Sequence, residues 1–209
     1  LYFYSSLRSS DDVRINNACK MLDEIYHHSE CITPLLLFIE KSTDPILRRY
    51  GIIGLEECIY NLKGDKSFKT FEEIFNWIIN KIIKETDFLC QKALCKVLST
   101  LASLWDSKEV VAEVVKLSKH WIENDEMTII VLHLWHFICP KNILISENED
   151  QFIMKLLDVT MKALSSKNQE MRIVALELLN DLIWMVNEMY IIDDNNCDLF
   201  PQIGEGIQK

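Results

Sequence analysis

The sequence predicts an all-α fold, an α-α superhelix of about five stacked helix pairs followed by a partial sixth. The main observation is a phrase that recurs along the chain: a capping residue, an aliphatic residue, an arginine, a small residue and then leucine. The phrase is clearest in Asp44–Leu55 and Asn168–Leu179, and a weaker copy begins at Asp12. Apolar residues in both segments of each unit also follow the spacing of one helix face, which predicts amphipathic helices that pack in pairs.

The phrase recurs at a period that is typical of two-helix repeats. The arginine position gives intervals of 34, 42, 38 and 44 residues, measured between Arg14, Arg48, Cys90, Thr128 and Arg172. HEAT and armadillo-type solenoids have this period, and we expect the chain to be the N-terminal part of a longer solenoid. The expected repeats are 1–28, 29–64, 67–104, 107–140, 146–191 and a partial repeat at 198–209.

Capping residues and helix breakers set the expected helix bounds. Ser10 or Asp11 caps the second helix of the first repeat, and Asp44 followed by Pro45 is a strong start signal in the next. We call the first helix of each repeat A and the second B, and we expect B helices to line the concave side of a right-handed stack. The expected A and B helices are 1–7 and 12–27, 30–40 and 45–63, 70–84 and 87–103, 107–123 and 126–139, and 148–164 and 169–190.

Composition excludes several classes of function. The net charge of −10 argues against a nucleic-acid binder; it either favours basic protein partners or serves solubility alone. No apolar run reaches the roughly 18 residues that a membrane span needs, so no membrane insertion is expected. The seven cysteines lie singly in apolar helical patterns, which indicates buried reduced thiols rather than a disulfide framework.

No catalytic or cofactor-binding pattern is present. The five glycines match neither the dinucleotide nor the P-loop phosphate motif, and the sequence contains neither GxSxG nor HExxH. His133, His136 and Cys139 recur every three residues, but this spacing rotates around a helix, so packing roles are favoured over a tetrahedral metal site. We expect a non-enzymatic protein without a cofactor.

The recurring phrase assigns structural roles to several residues. Arg14, Arg48 and Arg172 follow the caps at equivalent places, and each is expected to bond an acidic or carbonyl group of the adjacent repeat. Gly51 and Gly54 inside a helix are unfavourable by about 1 kcal/mol each relative to alanine, so they predict close approach of a neighbouring helix.

Three stretches carry a resemblance to a known family. The segment Leu7–Arg14, with Ala18 and Leu22 after it, looks like the opening repeat of the importin-β (karyopherin-β) nuclear transport receptors. The stretches Thr33–Ile39 and Ser42–Gly51 resemble the second repeat of that family, and Gln91–Ala102 resembles the third.

The resemblance implies a transport receptor of cytoplasm and nucleus. Such a protein binds the small GTPase Ran in its GTP form through early B helices, carries basic cargo proteins and contacts phenylalanine-glycine nucleoporins. Glu56 and Glu57 depart from the family, which commonly has basic residues there. The alternative is a HEAT-repeat scaffold or regulatory subunit that assembles a complex without a GTPase partner.

The expected GTPase-binding surface is a stripe along the first three B helices, and the alternative is an ordinary solvated face. Its members share one face of their helix by spacing. They are Asn16, Lys20 and Asp23 in repeat one, Arg49, Ile52, Glu56 and Tyr60 in repeat two, and Lys92, Lys96 and Ser99 in repeat three.

Overall fold

The structure, a computed structural model, describes residues 11–26, 28–61, 68–105, 108–139 and 150–191. Within these ranges the regular structure is helical and contains no β-strand. The helices are α1 (Asp12–Tyr26), α2 (Ile32–Lys41), α3 (Pro45–Asn61), α4 (Phe68–Lys84), α5 (Phe88–Trp105), α6 (Lys108–Trp121), α7 (Asp125–Ile138), α8 (Asp150–Ala163) and α9 (Gln169–Ile191). Their ends lie within two residues of the predicted bounds. The predicted helix at 1–7 and the partial repeat at 198–209 lie outside the described residues.

The helices pack in series. The B helices α1, α3, α5, α7 and α9 contact one another in chain order and form one layer, which we call the B layer. The A helices α2, α4, α6 and α8 each pack on the B helix that follows them. Fully buried side chains such as Ile39, Ile59, Leu98 and Trp135 fill the space between A and B helices. This arrangement confirms the predicted α-α solenoid.

Side-chain caps start the B helices where the sequence places them. The Asp44 carboxylate accepts a hydrogen bond from the Ile46 amide at 2.9 Å, and Asn168 accepts one from Glu170 at 2.9 Å. Asp11 caps α1 through the Val13 amide at 3.0 Å. Asp87 caps α5 through the Cys90 amide at 2.9 Å, and this bond holds the pKa of the Asp87 carboxyl below its usual value.

Arg48 joins the second repeat to the third. Its Nε and Nη2 donate to the two carboxylate oxygens of Glu85, at 3.1 and 2.8 Å, and its Nη1 donates to the carbonyls of Ser42 and Thr43, both at 3.1 Å. The Glu85 side chain is only 3% exposed. The expected bond to an adjacent repeat is therefore confirmed for Arg48.

Arg172 and Arg14 differ from Arg48. Arg172 donates to the carbonyls of Ser166 and Lys167, at 2.8 and 3.1 Å, which belong to the turn of its own repeat. Its contacts with described residues are thus local, and the repeat that would follow lies outside the described residues, so the expected bond to an adjacent repeat stays a prediction for Arg172. Arg14 lies on an exposed position of α1.

The residue of α5 that corresponds to Arg48 and Arg172 was predicted wrongly by one position: it is Gln91, not Cys90. Arg48 and Arg172 each bind the carbonyl six residues earlier, and Gln91 does the same through its Nε2, which donates to the Glu85 carbonyl at 2.8 Å. Cys90, the predicted equivalent, is fully buried, and its Sγ donates to the Pro45 carbonyl at 3.3 Å. A glutamine amide can replace the guanidinium here because the shared task is donation to a turn carbonyl.

The two helical glycines lie at close helix contacts, as predicted. A Cβ on Gly54 would meet the Tyr26 ring at 2.5 Å, so α3 and α1 approach closely at this point. A Cβ on Gly51 would meet the Phe38 ring of α2 at 2.8 Å. Both distances are shorter than ordinary carbon contacts, which explains why the chain has glycine in the middle of α3.

We expect Gly54→Ala to destabilise the protein by up to about 2 kcal/mol, because overpacking costs about 1–3 kcal/mol and the better helix propensity returns about 1. Urea denaturation measures the effect. In a Tyr26→Leu background, which removes the ring, the same substitution should be neutral or stabilising. An equal loss in both backgrounds would contradict the close contact.

The described cysteines are packing residues. Cys58, Cys90, Cys95 and Cys139 are buried, and burial raises the pKa of each thiol to about 12. Such thiols are inert at neutral pH. In the part of the chain that the structure describes, no helix is both long and apolar enough to cross a membrane.

Candidate protein-binding surface

The B layer has one face that packs on the A helices and one that does not. The second face, which we call the outer face, exposes most of the predicted stripe. Asn16 and Lys20 on α1, Arg49 and Tyr60 on α3 and Lys96 on α5 are exposed. Glu56 and Lys92 are partly exposed. The Asp23 side chain lies outside the described set. The predicted stripe therefore corresponds in large part to a real surface of the molecule.

Two members of the stripe were placed wrongly. Ile52 and Ser99 are fully buried. One residue along a helix turns the side chain by about 100°, and it is Ile53, not Ile52, that reaches the outer face. Ser99 lies at nearly the same angle around the α5 axis as Lys92. Its short side chain nevertheless stays beneath the surface, and its hydroxyl donates to the Lys96 carbonyl at 2.8 Å. Long lysine side chains at similar angles extend to solvent.

Ion pairs tie three of the predicted residues to neighbouring helices. Lys96 of α5 lies 3.1 Å from the Glu56 carboxylate of α3, which also accepts a hydrogen bond from the Thr100 hydroxyl at 3.1 Å. Lys92 of α5 lies 3.1 Å from Glu170 of α9, so this pair passes over α7. Glu56 thus acts in a link between repeats, which spacing alone did not reveal.

Two adjoining clefts lie between α3 and α5, and we call them together the α3–α5 groove. One has a volume of about 300 Å³ and the other about 250 Å³. Arg49, Ile53 and Leu89 line both clefts. Ile46 extends the groove at one end, and Phe137 of α7 extends it at the other.

The groove combines aliphatic surface with one unpaired cation. Ile46, Ile53 and Leu89 are between 41% and 50% exposed. Of the three cations that line the groove, Lys92 and Lys96 are paired, whereas Arg49 forms no ion pair with any described residue. Glu57 also lines the groove and is exposed. The groove thus presents apolar surface and charges of both signs.

His133 lies beneath the ion pair that crosses α7. It is fully buried, and neither ring nitrogen has a hydrogen-bond partner among the described residues. Its ring centroid is 5.4 Å from that of Phe88 and 6.4 Å from that of Phe137, and its Nε2 is 3.7 Å from the Glu170 carboxylate. Burial lowers the pKa of His133 to about 3, with a smaller contribution from Lys92. The imidazole is therefore neutral at physiological pH.

His133, His136 and Cys139 diverge, as their spacing predicts. His136 Nδ1 lies 2.7 Å from the Asp181 carboxylate of α9, while His133 contacts aromatic rings and Cys139 is buried. Among the described residues no group of three or more metal-ligand side chains converges. The His136–Asp181 bond joins α7 to α9, and no sequence signal pointed to it.

Comparisons with known proteins give few matches. No protein-family model matches the sequence, and no curated protein matches it. Among solved structures, an engineered protein is 18% identical over 87% of this chain and 78% of its own, with a TM-score of 0.40. A second engineered protein is 17% identical over 87% of this chain and 47% of its own, with a TM-score of 0.39. A designed armadillo repeat protein is 14% identical over 87% of this chain and 98% of its own, with a TM-score of 0.30. The assignment of the solenoid rests on the helix packing described above.

Proposed function

We propose that this chain is a non-enzymatic protein-binding solenoid that takes up a partner protein on the outer face of the B layer, centred on the α3–α5 groove. The observation that carries the proposal is the grouping of three half-exposed aliphatic side chains around Arg49, which forms no ion pair with a described residue. Scattered apolar residues are normal on protein surfaces, whereas a concave group beside a charged residue is typical of an interaction site.

The groove suits an extended or helical segment of a partner. Because the three aliphatic side chains of the groove are already half-buried, a partner that covers one of them contributes on the order of 1 kcal/mol, about half of the value for full burial. A carboxylate on the partner can pair with Arg49, because arginine presents a planar fork of donors that matches a carboxylate. Glu56 and Lys96 also line the groove, but they already pair with each other.

A displayed library of random peptides, selected on the full chain, tests the proposal. We expect enriched peptides to share an aliphatic or aromatic residue next to an acidic one. Their affinity should fall at least about tenfold in Arg49→Glu, because a central interface arginine contributes about 1.4 kcal/mol or more. Binding is measured by fluorescence anisotropy.

Lys116→Glu is the matched control, since it reverses the same charge on an exposed residue of α6. It should leave the affinity of the same peptides unchanged. Peptides that bind Arg49→Glu as well as the unaltered chain would place the binding surface elsewhere, and failure to enrich any sequence would argue against a peptide groove.

A more specific candidate is the N-terminal region of a nuclear transport receptor that binds Ran in its GTP form. Its support is the importin-β resemblance together with the exposure of Asn16, Lys20, Arg49 and Tyr60 on the B layer. The pairing of Glu56 with Lys96 leaves fewer side chains available to a GTPase than the sequence predicted.

Titration with Ran in each nucleotide state separates this candidate from a scaffold without a GTPase partner. A receptor should bind the GTP form and not the GDP form, and Arg49→Glu should weaken that binding while Lys116→Glu does not. Equal or absent binding in both states would leave the scaffold as the proposed function.

A further inference from the structure

The last described B helix, α9, exposes positions that every preceding repeat from α3 onward buries. When the first residue of each helix is counted as one, the eighth and fifteenth positions of α9 are Leu176 and Ile183. These side chains are 63% and 55% exposed. The equivalents in α3, α5 and α7 are at most 4% exposed, and they are Ile52 and Ile59, Cys95 and Ala102, and Leu132 and Cys139.

The opposite side of α9 is packed normally. Ala175 and Leu178, at the seventh and tenth positions, are fully buried, as are their equivalents in α5 and α7. Since α9 contacts α7 and α8, the uncovered side is the one where each earlier B helix contacts its successor. We call Leu176, Leu179 and Ile183 the open face of α9. Its side chains are as apolar as those at the buried positions of the earlier B helices, but no described element covers them.

We propose that the segment Leu199–Ile207 of this same chain covers the open face of α9. This segment lies outside the described residues. Four of its nine residues are large apolar side chains, Leu199, Phe200, Ile203 and Ile207, which can be buried against an apolar face. The proposal does not depend on what the α3–α5 groove binds.

The length of the connection permits this contact. The eight steps of chain from Ile191 to Leu199 reach about 25 Å when extended. Ile183 and Leu176 lie about 12 and 22 Å back along α9, at 1.5 Å per helical residue. A tethered segment has an effective concentration in the millimolar range, so a modest apolar contact keeps it in place. A second copy of the chain has no such advantage.

Disulfide trapping tests the contact directly. In a chain with Cys19, Cys31 and Cys197 replaced by serine, Ile183→Cys is combined with Phe200→Cys. The control pairs Phe200→Cys with Met154→Cys, because Met154 is 65% exposed and belongs to α8 rather than α9. Under mild oxidation at low protein concentration, we expect the first pair to form an intramolecular disulfide at least about tenfold faster than the control.

Three results would overturn the proposal. Equal rates for both pairs would show that the segment does not lie on α9, and a disulfide that joins two chains would assign the open face to a second copy. Hydrogen exchange supplies a second measurement that needs no cysteine: a chain that ends at Ile191 should exchange faster in α9 and unchanged in α3. Unchanged exchange in α9 would also overturn the proposal.

Discussion

Replacing Arg48 by alanine is expected to lower the free energy of unfolding by about 3–5 kcal/mol, because it leaves the buried Glu85 carboxylate without its cation. Glu85 keeps the amides of Thr86 and Asp87 as donors, both at 3.1 Å. Lys81 lies 3.9 Å from the same carboxylate but pairs more closely with Glu40, at 3.0 Å. These contacts offset part of the loss and place the effect near the lower end of the range.

Arg49→Ala is the matched control for Arg48→Ala, because the adjacent arginine is exposed and forms no ion pair with a described residue. It should change the free energy of unfolding by no more than about 0.5 kcal/mol. Adding Glu85→Leu to Arg48→Ala should recover part of the stability, since no carboxylate then remains buried. Equal effects of the two arginine substitutions in urea denaturation would contradict the structural role of Arg48.

The second large effect is a loss of stability in acid that depends on His133. Its pKa is about 3 in the folded protein, chiefly because of burial, and about 6.5 in the unfolded chain. Below pH 6.5 the unfolded chain therefore binds a proton that the folded protein does not. The contribution of neutral His133 to the free energy of unfolding is therefore fully present above pH 6.5. It falls as the pH falls toward 3, and about 2 kcal/mol is lost at pH 5.

His133→Leu removes this proton uptake, so its free energy of unfolding should fall about 2 kcal/mol less between pH 7.5 and pH 5 than that of the unaltered chain. Phe137→Leu is the control, because it disturbs the packing around the same ring and keeps the imidazole. It should lower stability by a similar amount at both pH values. Identical pH profiles for His133→Leu and the unaltered chain would contradict a neutral, buried His133 in the folded protein.

Local signals predicted the helices well. Asp44 and Pro45 begin α3, and Asn168 begins α9, because a capping side chain satisfies amides of the first turn whatever the helix later packs against. The paired helices with apolar stripes were sufficient to predict a solenoid. Gln91 was missed because its role depends on the position of the turn carbonyl and not on side-chain charge.

The surface could be predicted only in part, because burial depends on the angle at which neighbouring helices meet. Ile52 and Ile53 are adjacent and chemically identical, yet one is buried and the other lines the groove. The pair of Lys92 with Glu170 joins residues 78 positions apart, and no local pattern marks either residue. His133 is buried beneath that pair for the same reason: its burial depends on how α5, α7 and α9 pack together.

A partner that binds in the α3–α5 groove should protect the two helices that line it from hydrogen exchange. Hydrogen–deuterium exchange of the full chain, alone and saturated with the tightest selected peptide, measures this protection. We predict new protection in 46–57 of α3 and 89–96 of α5, with α2, α6 and α8 unchanged. Protection confined to the A helices, or to the open face of α9, would contradict binding in the groove.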